Sequence, residues 1–121
     1  MTVRMLAMSK ALAVALLAIL VSIGIARAIA LTPLDVATVT TGGTAVTALA
    51  AGHRTSGGWI QNPPTATTNL CINEVGTATT TPGGNVTCIE PGQTYLLAAN
   101  SGAVSVVSSD AAHPFSGYGF Q

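Results

Sequence analysis

The sequence predicts an all-β protein: a small antiparallel β-sandwich, jelly-roll or Ig-like, of seven to eight strands after an N-terminal hydrophobic helix. Three observations lead there. Residues 31–121 hold sixteen Thr, twelve Gly and twelve Ala, and branching at Cβ suits Thr and Val to a pleated surface. No window repeats apolar residues at the i, i+3, i+4, i+7 spacing of an amphipathic helix. Short β-prone runs recur instead at roughly ten-residue intervals between Gly, Pro and Asn punctuation, the rhythm of a sandwich or small barrel.

The hydrophobic helix comes first. Arg4 and Lys10 precede Ala11–Ile25, which has no charge or strong polar group, and Ala26-Arg27-Ala28-Ile29-Ala30 follows with two overlapping A-x-A patterns. Charged region, apolar region and small-residue cleavage site make residues 1–30 a signal peptide or, if retained, an N-terminal membrane anchor. A spanning helix needs ~20 apolar residues, so cleavage is the expected outcome. Under both readings residues 31–121, the β-sandwich domain, lie outside the cytoplasm: periplasmic, extracellular or membrane-anchored. Membrane contact is expected only through residues 1–30.

Seven strands are then expected: 36–41, 44–49, 58–62, 69–75, 85–89, 94–99 and 103–108, with a last short one near 114–120. Glu90-Pro91-Gly92-Gln93 suits a type II turn, Asn62-Pro63-Pro64 ends a strand, and Asn100-Ser101-Gly102 reads as a tight hairpin turn. Alternation puts Leu70 and Ile72 on one face with Cys71 and Asn73 on the other. It likewise sets Val104 and Val106 opposite Ser105.

Cys71 and Cys88 are the only cysteines. An even count in an exported chain argues for a disulfide, and C-x-x-C spacing is absent. Pairing them across a hairpin of 69–75 with 85–90 centres the turn on Thr79-Thr80, within Gly76–Gly84.

Composition excludes several functions. Beyond residue 30, one arginine stands against Asp35, Glu74, Glu90 and Asp110, a formal charge of −3. Phosphate neutralisation needs clustered Lys and Arg, so nucleic acid is not a partner. Two cysteines are too few for a four-ligand zinc site; no metal site, cofactor or catalytic residue is expected. His53 and His113 read as solvated loop histidines. Glu74 and Glu90 flank the hairpin, but paired-carboxylate glycoside chemistry also needs a cleft lined by sugar-stacking aromatics. Asn85-Val86-Thr87 matches the N-glycosylation pattern. The aromatic residues are the candidate interface: Phe115, Tyr118 and Phe120 crowd the C-terminus, and Trp59 is the only tryptophan. Their plainer role is closing one end of the core, with Trp59 as a core or core-edge anchor.

The order Gly57-Gly58-Trp59-Ile60-Gln61-Asn62-Pro63, Asn69-Leu70-Cys71-Ile72-Asn73, Glu90-Pro91-Gly92-Gln93-Thr94-Tyr95, Gly102-Ala103-Val104-Ser105-Val106 and His113-Pro114-Phe115 resembles small all-β domains of phage and prophage structural genes. Those proteins are capsid-decorating or fibre-associated. The resemblance covers about residues 36–120 and implies a non-enzymatic β-sandwich on a larger assembly, at a virion surface, with no catalytic residues carried over. The export leader and the Cys71–Cys88 pair depart from that pattern.

The expected function is therefore a non-enzymatic structural or interaction protein, exported and disulfide-stapled, packing on like subunits or a larger assembly. A periplasmic or cell-surface module for a small ligand or glycan is the alternative. An exposed aromatic platform at Trp59 would favour it.

Overall fold

The computed structural model describes residues 29–121; the expected N-terminal helix and the cleavage motif up to Ala28 lie outside them. Within the described residues the protein is all-β and antiparallel, with no helix. The strands are β1 (Leu31–Pro33), β2 (Thr38–Val39), β3 (Val46–Leu49), β4 (Gly58–Gln61), β5 (Leu70–Asn73), β6 (Val86–Ile89), β7 (Thr94–Leu97), β8 (Val104–Val107), β9 (His113–Pro114) and β10 (Ser116–Phe120). They form a first sheet ordered β1-β10-β4-β7, a second ordered β3-β8-β5-β6, and a short β2-β9 ribbon.

There are thus ten strands where seven or eight were expected. β1 was not anticipated, because Leu-Thr-Pro is too short to show alternation and carries a proline. Proline is tolerated there because β1 is an edge strand. The C-terminal strand is two, split at Phe115, whose N–H instead bonds the Ala37 carbonyl (2.9 Å).

One core receives side chains from both four-stranded sheets. Ile60 and Leu97 of the first meet Leu49, Leu70, Ile72, Ile89, Val104 and Val106 of the second, with Val39 and Phe115. The alternation expected for β5 and β8 holds: Leu70, Ile72, Val104 and Val106 share this core. Each residue on β5 nonetheless has both faces covered. Cys71 and Val107 form a second, smaller cluster with Ala78 on the far side of the sheet.

That second cluster exists because the hairpin loop folds back over its own sheet. Asn73 Oδ1 accepts the Val75 and Gly76 N–H groups (2.9 and 3.0 Å), and the Ala78 N–H donates to Ser105 Oγ (3.0 Å). The β5–β6 register sets Cys71 directly opposite Cys88. The two form a disulfide with Cα atoms 3.9 Å apart. The bond fits an oxidising compartment.

The turn over 90–93 forms with Gly92 at φ 84° and the Gln93 N–H on the Glu90 carbonyl (3.0 Å), as a type II turn requires. Residues 100–102 behave differently. Gly102 N–H donates to Asn100 Oδ1 (2.7 Å), a tight local turn, but β7 and β8 belong to different sheets. The segment is a crossover between sheets and not a hairpin.

Candidate functional site

The first sheet places four side chains in one row. Cross-strand register pairs Pro33 with Tyr118, Tyr118 with Trp59, and Trp59 with Leu96. Residues two apart on a strand share a face, so Leu31 and Phe120 make a second row on the same side, and Ser116, Gln61 and Thr94 a third. Ile60 and Leu97 point the other way, into the core. The first row is therefore on the outer face. There Leu96 is 77% and Tyr118 42% exposed, Pro33 is exposed, and Trp59 and Phe120 are half-buried.

The Ser-Gly-Tyr-Gly-Phe sequence of β10 explains how the aromatics come to be outside. Gly117 and Gly119 occupy its core-facing positions, where a Cβ would collide with the Trp59 and His53 carbonyl oxygens respectively. Only glycine permits that approach, so every large side chain of β10 projects outward. Tyr118 and Trp59 pack with ring centroids 5.8 Å apart and planes tilted by 56°, within the range of favourable aromatic pairs.

The four aromatics singled out from the sequence thus divide. Tyr118, Trp59 and Phe120 share the outer face. Phe115 is 4% exposed within the main core, because alternation sets it on the same side as the core-facing Gly117 and Gly119. Trp59 in turn is no core anchor. Cys71 and Cys88 lie in the other sheet, with Cys71 buried under the hairpin loop.

Two polar constellations escaped the sequence reading. Arg54, the only cation of the described residues, has no exposed surface. Its guanidinium donates to the carbonyls of Gly102 (3.0 Å), Ala98 (2.7 Å) and Glu74 (2.8 Å) and to Glu74 Oε2 (2.5 Å). Glu74 also accepts from Tyr95 Oη (2.9 Å) and the Ala98 N–H (3.0 Å). Burial and the Glu74 carboxylate raise the Tyr95 phenol above its ordinary pKa. Glu74 is therefore committed to holding loops together, whereas Glu90 is exposed; paired-carboxylate chemistry has no support in this arrangement.

His113 is the second. It is 4% exposed, not a solvated loop histidine, because β9 carries it under the 62–68 loop. Asn62 Nδ2 donates to the Thr68 and Ile89 carbonyls (3.0 and 3.1 Å), so Asn62 Oδ1 faces His113 Nε2 at 2.9 Å and accepts a hydrogen bond from its N–H. Nδ1 is then an acceptor for Ser108 Oγ (3.1 Å) and Thr68 Oγ1 (3.3 Å). Burial lowers the His113 pKa, with Asp110 opposing the shift. Ser108 and His113 make a hydroxyl–imidazole pair, but Ser108 has no exposed surface. His53 by contrast is partly exposed and paired with Asp35 at 3.0 Å. Among the described residues no three His, Cys, Asp or Glu side chains gather as metal ligands.

Comparisons with protein-family models, curated proteins and solved structures find no match to this chain.

Proposed function

We propose that the protein is an exported, non-enzymatic structural or interaction protein, a disulfide-stapled β-sandwich that docks on a larger body through the outer face of its first sheet. The observation that carries this reading is an asymmetry between the two outer faces. The second sheet is capped by the chain's own hairpin loop, which buries Cys71, Asn73 and Val107. Among the described residues the first sheet has no such cap over its aromatic and aliphatic row. Interface cores are enriched in Trp and Tyr and depleted in charge, and the three rows of this face contain no charged residue. A role on a larger body is also what the resemblance to phage and prophage structural domains implies.

Hydroxyl-radical footprinting tests the docking reading whatever the partner. In exported protein probed at its native location, Trp59, Tyr118 and Leu96 are expected to be labelled several-fold less than in purified protein. Equal labelling in both settings overturns it.

A further inference from the structure

We infer that the occupant of the Trp59 face is a lipid bilayer, against which the first sheet lies where the leader is retained as the membrane anchor that its sequence also allows. The inference rests on the reading of this face as a docking surface and names its partner. Two observations converge on lipid.

The first is where the described chain begins. Ile29 and Leu31 are each 64% exposed, and Leu31 pairs with Phe120 on the same side as Tyr118. The uncharged stretch Ala11–Ile25 ends six residues before Leu31. Fully extended chain spans at most ~3.6 Å per residue, so a retained stretch keeps Leu31 within about 20 Å of its end. The tether therefore joins the domain at the edge of the apolar face.

The second is the chemistry of the face. Trp and Tyr concentrate at membrane–water interfaces because each ring offers an apolar body and a polar edge. Here they are flanked on one side by Leu31 and Phe120 and on the other by Gln61, Ser116 and Thr94. No charged group on these rows has to be desolvated, a cost that opposes burial of ions. The acidic side chains Asp35, Glu90 and Asp110 belong to loops, and they favour a zwitterionic over an anionic surface.

A bilayer needs no matching contour, and a retained leader raises the local concentration of the face at its surface.

Trp59 is the sole tryptophan and reports directly on this face. The experiment is emission from the full chain reconstituted in phosphatidylcholine vesicles, with and without bromine on the acyl chains near the headgroup. The expected result is a blue shift and at least twofold quenching by the brominated lipid. Leu96→Lys, at a side chain far from the core, should abolish the quenching while the chain stays vesicle-bound. Absence of quenching, with Trp59 becoming shielded from iodide as protein density rises, overturns lipid and leaves a second copy as the docked partner. Trp59 open to iodide and unquenched at every density overturns both lipid and the docking reading.

Discussion

Arg54 Nη1 lies 2.5 Å from Glu74 Oε2, joining the β3–β4 connection to the end of β5 across twenty residues of chain. The same guanidinium reaches the carbonyls of Ala98 and Gly102, so one side chain binds three connections at one end of the sheets. The Arg54 carbonyl adds bonds from the Gly57 and Asn100 N–H groups (2.9 and 3.2 Å). Removing one partner of a buried pair strands the other and costs about 3–5 kcal/mol. Arg54→Ala should lose that much in urea unfolding. Arg54→Lys should recover little, because an ammonium cannot reproduce the planar fork. A loss no greater than the ~1 kcal/mol of an exposed pair would contradict this account.

The sequence made the β5–β6 hairpin legible because alternation and the cysteine count point to the same register, and that register is found. It hid Arg54 and His113 for a physical reason. A lone charged or titratable residue among small residues, Gly and Ser for Arg54 and Ala and Pro for His113, has the local signature of a solvated loop. Its burial is decided by which distant loops converge on it, here 74, 98 and 102 for Arg54, and 62, 68 and 108 for His113. The Asn100–Gly102 turn shows the same limit, since one local geometry serves both a hairpin and a crossover. Trp59 lies on the outer face because alternation on β4 sets it with Gln61, opposite the core-facing Ile60, a pattern too short in a four-residue strand to fix the inner face by itself.

The Cys71–Cys88 bond closes a seventeen-residue separation, worth about 3 kcal/mol in the chain-entropy model. Its loss should also loosen the small cluster of Cys71, Ala78 and Val107 that the hairpin loop covers. Cys71→Ala is expected to lower the melting temperature markedly under oxidising conditions and to matter little under reducing ones. Coincident melting curves for oxidised and reduced wild type would refute the stabilising role of the bond.

His113 supplies a pH dependence. Burial holds its folded-state pKa below that of the unfolded chain, near 6.5 for an ordinary histidine. The unfolded state therefore binds the proton more readily, and stability rises with pH where the two states differ. This contribution is fully present above about pH 6.5 and is lost as pH falls below it. The charged groups in reach are few: Asp110 raises the pKa and limits the effect, while Asn62, Ser108 and Thr68 are neutral. Urea midpoints should fall from pH 7.5 to pH 5 in the wild type and fall less steeply in His113→Gln. Parallel curves for the two proteins would remove His113 as the cause.

The outward projection of Tyr118 depends on Gly119 having no side chain. A Cβ there would collide with the His53 carbonyl oxygen, a backbone atom that cannot swing aside as a side-chain tip can. Overpacking of this kind costs about 1–3 kcal/mol, and the β10–β4 ladder would have to shift to relieve it. Gly119→Ala should therefore destabilise the protein by about 1–3 kcal/mol in urea and move Trp59 emission, since Trp59 lies in register with Tyr118. Ser116→Ala, at an exposed position of the same strand, serves as the control and should change neither. If Gly119→Ala leaves both stability and Trp59 emission at wild-type values, the close approach of β10 to the 50–57 connection does not shape the aromatic face.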